Sequence, residues 1–192
     1  MTILKEKFYR NDVLEVAPAL IGKMLIRRIS NYHVLKYIIT ETEAYRGEED
    51  LACHASKGHT KRTEIMYKDG GTIYVYLIYG MYWMLNIVTG KINDPQAVLI
   101  RGIEKFNGPG KITKALEIDG TLNGKKLLQK NGLWIENTVL KPEIIITTRV
   151  GVDYAGEEWK MKPWRYIFRH PNANKPEPNR KKEIEKHITK NA

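Results

Sequence analysis

The chain has 192 residues, 42% of them hydrophobic, which is enough for one domain whose core needs neither disulfides nor metal. Its single cysteine, Cys53, excludes an internal disulfide and a thiolate zinc knuckle, so no metal or other cofactor is expected. With 32 basic against 22 acidic residues, the net charge of +10 points to a polyanionic partner, a surface serving solubility alone being the alternative. No apolar run approaches the roughly 20 residues of a membrane span. The first ten residues lack a signal-peptide pattern, and no basic amphipathic helix stands out. The expectation is a soluble, cytoplasmic protein with no membrane partner.

Asp12, with Glu15 three residues on, caps a first helix that ends near Gly22 and is shortened or interrupted by Pro18. Residues 23–30 and 33–43, rich in Ile and Val, read as strands around an Asn31-Tyr32 turn. Residues 49–68 are mixed, and Asp69-Gly70-Gly71 is a turn. Residues 72–79 and 81–89 are strands broken at Gly80, and residues 96–104 form another after a turn over 90–95. Asn107-Gly108-Pro109-Gly110 breaks the chain before a helix over 111–117, and 124–129 reads as a further short helix. Residues 133–139, 143–150 and 164–168 read as strands, and a polar tail begins at about residue 169, with a helix-like charged composition over 179–190. The class is α+β: a single domain over residues 1–192 with one curved, mostly antiparallel sheet and peripheral helices.

Three segments carry candidate chemistry. Strand period places Glu41, Glu43 and Tyr45 on one face at a strand end, either a solvated edge or a paired-carboxylate site. Residues 72–83 crowd Tyr74, Tyr76, Tyr79, Tyr82 and Trp83 together. Such a stripe reads equally as cross-strand core packing or as a platform on which bases stack, and an aromatic at a hairpin tip can wedge between base pairs. Gly108-Pro109-Gly110-Lys111 opens a helix whose amides could meet phosphate, or is an ordinary helix start.

Glu41-Thr42-Glu43-Ala44-Tyr45, His54 eleven residues after Glu43, Gly71–Asn86, Ala97–Arg101, Gly108–Leu116 and Arg149–Gly156 with Lys162-Pro163 together resemble the alkyladenine (3-methyladenine) DNA glycosylase family. The resemblance runs from the first helix to about Phe168. Where the family has Thr-Pro-Arg-Asn, this chain reads Thr60-Lys61-Arg62-Thr63. The resemblance implies a monofunctional enzyme, acting without metal or cofactor as a monomer on double-stranded DNA containing damaged purines. It implies a protruding, DNA-inserting β-hairpin. Glu43 would activate water, and Arg101 would help hold that water or the backbone next to Glu43. Tyr45, His54 and Tyr76 would sandwich the flipped base, and Asn86 would lie at the pocket floor, screening against the exocyclic amine of guanine. Tyr79 would replace the extruded nucleotide, and Arg62 and Lys111 are candidates for backbone contacts. A non-enzymatic DNA binder with Tyr79 as a mere wedge, and a lysine-dependent bifunctional enzyme, are the competing readings.

Overall fold

The computed structural model describes residues 2–169. Its helices are α1 (Glu6–Tyr9), α2 (Val13–Leu20), α3 (Pro109–Ala115) and α4 (Glu157–Lys160). Its strands are β1 (Met24–Ser30), β2 (His33–Arg46), β3 (Ile73–Ile78), β4 (Tyr82–Thr89), β5 (Gln96–Ile103), β6 (Phe106–Asn107), β7 (Leu133–Glu136), β8 (Ile144–Thr147) and β9 (Arg165–Phe168). All nine share one open sheet in the order β3-β4-β5-β2-β1-β7, with β6 on β5, β9 on β2 and β8 on β9. Every pairing is antiparallel, so the class is α+β.

The 14-residue β2 organises the sheet. Its first half pairs with β1; its second half runs between β5 on one edge and β9 on the other. The period of two then sorts its side chains. Ala44 joins Ile73, Val75, Leu85, Ile87, Val98 and Ile100 in a core beneath α2 and α3. Thr42 binds the same helical layer by donating its hydroxyl to the Ala17 carbonyl at 2.9 Å. Glu43 and Tyr45 therefore point to the opposite face. There Tyr74, Tyr76, Val88 and Ala97 meet Cys53, Ala55, Ile65 and Met66 from the segment that crosses over the sheet.

Strong local signals coincide with the elements they predict. Asp12 accepts from the Leu14 N–H and caps α2, which keeps Pro18 inside it. The expected helix over 124–129 is absent. Gly124 and Leu127 donate their N–H groups to the Ile73 and Gly71 carbonyls, and Lys125 O accepts from Ile73, so this stretch is spent on the edge of β3. The strand from 133 stops at Glu136, because Asn137 and Thr138 bond to Thr2 and Gly22 instead. The strand from 143 is paired only over Ile144–Thr147, because Arg149 turns inward.

Register is irregular where Glu41 faces Gly102 across β2 and β5. A Cβ at Gly102 would lie 2.7 Å from Glu41 Cβ and 2.9 Å from Thr40 Oγ1, so the approach of the two backbones requires glycine. Gly102→Ala is expected to lower stability by about 1–3 kcal/mol through overpacking. Urea denaturation would measure this as a lower midpoint at unchanged slope.

Candidate active site

Glu43 is fully buried, and its hydration is replaced from three directions. The Tyr45 hydroxyl donates to Oε2 at 2.9 Å, and the Val150 backbone N–H donates to Oε1 at 2.9 Å. Arg101 on β5 brings Nε to 3.5 Å from Oε1. The neighbouring Glu41 is held by Arg165 Nε at 2.6 Å and by Arg101 Nε at 3.0 Å, which lets two carboxylates share the strand end. Arg101 Nε is buried without a hydrogen bond, close to both carboxylates but not aligned with either. Burial raises the proton affinity of Glu43 above the ordinary carboxylate value; Arg101, Val150 N–H and the Tyr45 hydroxyl oppose the shift without cancelling it.

Glu43 opens into a cavity of about 560 Å³ lined also by Tyr45, His54, Tyr76, Tyr79, Asn86 and Arg101. His54 and Tyr76 meet edge to face, ring centroids 4.6 Å apart, and His54 Nδ1 lies 2.9 Å from the Tyr74 hydroxyl. Burial and the nearby Arg62 guanidinium lower the His54 pKa to about 4, so the imidazole is neutral at physiological pH. The Asn86 amide nitrogen donates to the Tyr74 and Met84 carbonyls, both at 3.3 Å, and fixes the side chain in the cavity wall. Among the described residues, no lysine lines this cavity, and no three His, Cys, Asp or Glu side chains gather as metal ligands would.

At the cavity rim, β3 and β4 are joined through Tyr79-Gly80-Met81, with the Met81 N–H returned to the Ile78 carbonyl. Tyr79 and Gly80 both have positive φ, 50° and 68°. That region suits glycine and strains a bulky side chain. Tyr79 is 84% exposed, so it is not a core residue.

Residues 7–106 and 104–172 match the family profile described as methylpurine-DNA glycosylase. The chain belongs to that family. Three relatives each carry the name "Putative 3-methyladenine DNA glycosylase". That of Psychrobacter cryohalolentis is 39% identical over 206 residues, covering 91% of this chain and 96% of the relative. That of Methanocella arvoryzae is 42% identical, covering 86% and 92%. That of Sodalis glossinidius is 44% identical, covering 84% and 96%.

The fold of this family member brings Glu43, Tyr45, His54, Tyr76, Tyr79, Asn86 and Arg101 to one cavity from five separate stretches of chain. Arg62 and Lys111 do not line it. Arg62 is exposed, with its guanidinium 5.6 Å from the Tyr76 ring centre, and Lys111 is exposed on α3. In the Thr60–Thr63 turn, Thr63 Oγ1 accepts the Thr60 N–H at 2.8 Å and donates to the Gly58 carbonyl at 2.8 Å, so the departure from Thr-Pro-Arg-Asn is a closed turn. The sequence assigned no role to Asp50, Arg149, Val150 or Tyr154, although the last three fall in a matched stretch. No periodicity marks a backbone N–H as a carboxylate ligand.

A raised proton affinity in the folded state means that Glu43 favours folding most below its unfolded pKa. That contribution is lost as pH rises through the folded value. Glu43→Gln keeps the shape without the buried charge, so it is expected to melt at a higher temperature than the native protein at neutral pH. The gap should narrow towards acid, and calorimetry across pH would measure it; a lower melting temperature at neutral pH would contradict the account.

Proposed function

We propose that this chain excises alkylated or deaminated purines, of the 3-methyladenine, 7-methylguanine, hypoxanthine and ethenoadenine class, from duplex DNA by hydrolysing the N-glycosidic bond. The observation that carries the reading is a buried, base-poised carboxylate inside an aromatic-walled cavity, beside an exposed tyrosine at a hairpin tip. Family membership supports the reaction class.

A purine alkylated at N3 or N7 is cationic, so its bond to the sugar is weak and the base leaves as a neutral molecule. Tyr79 enters the duplex where the nucleotide leaves, and the flipped base lodges between Tyr45, Tyr76 and His54. Electron-rich ring faces favour the cationic base over its neutral parent by about 0.5–2 kcal/mol per contact. A neutral His54 adds no repulsion. Asn86 at the pocket wall selects against the exocyclic amine of guanine. As the glycosidic bond breaks, positive charge develops on the sugar, which the Glu43 carboxylate stabilises. Glu43 takes a proton from water as its oxygen bonds to C1′, and an abasic site remains. Arg101, which lines the cavity beside Glu43, helps hold that water. One chain supplies every residue named, so a monomer suffices. Among the described residues no lysine lines the cavity, which favours this route over Schiff-base chemistry, and a buried carboxylate in its lining is foreign to a purely architectural DNA binder.

Glu43→Gln is expected to slow base release from a 7-methylguanine duplex by at least ~100-fold, the usual worth of a general base. Lesion binding should persist, and Glu41→Gln, whose carboxylate is held by two guanidinium groups, should be affected far less. Single-turnover kinetics would decide, and near-normal turnover by Glu43→Gln would sink the mechanism.

Tyr79→Asn should separate stability from recognition. Asparagine tolerates positive φ, so the protein is expected to gain about 1 kcal/mol of stability. Loss of the stacking ring should weaken binding to a duplex with an abasic-site mimic by ~10–100-fold. Thermal melting and fluorescence anisotropy on the same samples would test both halves; unchanged affinity would remove Tyr79 from the DNA interface.

A further inference from the structure

Arg149 and Asp50 have fully buried side chains, and neither lines the cavity. Such a pair is expensive to desolvate and is weak evidence of net stabilisation, so what it holds in place is the more informative question. Arg149 donates Nη1 to Asp50 Oδ2 at 2.5 Å and Nη2 to Oδ1 at 2.9 Å, a bidentate fork. The same nitrogens donate to the carbonyls of Ala44 at 3.0 Å and Trp159 at 3.1 Å. The guanidinium also lies over the rings of Tyr45 and Trp164, 4.9 and 5.0 Å from their centres. Asp50 in turn accepts the N–H groups of Arg46 and Ala52. The end of β2, the turn after it, α4 and the approach to β9 thus meet on one ion pair. Arg149 grips the carbonyl of the residue after Glu43, and its own successor, Val150, donates to Glu43 Oε1.

We propose that Asp50 and Arg149 are positioning residues for the reaction: their ion pair registers the 149–150 backbone against β2, so that the Val150 N–H orients the Glu43 carboxylate. The inference rests on Glu43 as the base that activates water. Neither residue touches substrate; both act through Glu43. The titratable and charged groups around that carboxylate are Glu41 and Tyr45 from β2, Tyr76 from β3, Arg101 from β5, Arg165 from β9, which is held on Glu41, and Arg149 and Tyr154 from the chain between β8 and α4. The Val150 N–H is one of three groups favouring the ionised form against burial. Releasing it makes Glu43 hold its proton to higher pH, which a merely structural role for the pair does not predict.

The double variant Asp50→Asn/Arg149→Met removes both charges together, so no unpaired charge is left buried. It would be compared, as full chains, with the native protein and Glu43→Gln. The readouts are melting temperature, binding to an abasic-site mimic, and single-turnover release of 7-methylguanine across pH. That base is already cationic, so the acid limb reports the group that activates water. In the double variant, base release at neutral pH is expected to fall by roughly tenfold, and the acid limb to move up by about one pH unit, with mimic binding retained. A folded double variant with native rate and native acid limb would overturn the proposal, while an inactive Glu43→Gln beside it would leave the reading of Glu43 intact. An active Glu43→Gln would overturn that reading and the proposal with it. If the double variant melts below assay temperature, Val150→Pro deletes the one N–H at a residue 43% exposed. The same alkaline shift supports the proposal, and an unshifted limb rejects it.

Discussion

A carboxylate removed from water must have its hydration replaced by fixed donors, or it takes up a proton and ceases to be a base. Glu43 imposes that requirement on most of the molecule. Its compensating groups come from near and far along the chain: a hydroxyl two residues on, a guanidinium from β5, and a backbone N–H from residue 150. Only a strand paired on both edges can be approached in this way, and β2 is such a strand at this point. The arrangement stops short of full compensation, because burial still outweighs the donors. A proton affinity raised in this way is what the proposed role of Glu43 as a base asks of it.

The wall of the cavity and the surface of the protein divide the electrostatic work. The net charge of +10 draws DNA from a distance but cannot tell a damaged purine from a sound one. The cavity that would make that distinction is walled largely by groups with no net charge: tyrosine rings and an imidazole kept neutral by burial. The two carboxylates at the strand end are met by Arg101 and Arg165, so the site is locally balanced despite the basic exterior.

The first half of β2, the β3–β4 hairpin and β5 were legible because Ile, Val and aromatic residues alternate between clear turns. The same period placed Glu43 and Tyr45 on one face, and the order of motifs identified the family. Residues 124–129 were not legible: their helical pattern yields to backbone bonds with the edge of β3, a tertiary competition no local window contains. Nor was the contribution of Val150, since an amide ligand leaves no side-chain signature. Asp50 and Arg149 looked like two members of a highly charged chain; only the fold shows that they are wholly buried against each other.

The position of β3 has a kinetic consequence. It pairs with β4 alone, and its outer side is covered by the 123–127 stretch only towards its beginning, leaving residues 76–78 without a backbone neighbour there. The strand that carries Glu43 is flanked on both sides. Amide hydrogens around Glu43 therefore exchange with solvent only when much of the sheet opens, whereas those near Tyr79 exchange through opening of the hairpin end alone. Under the proposed reading, the hairpin end that meets the duplex can therefore open without loosening the carboxylate on β2.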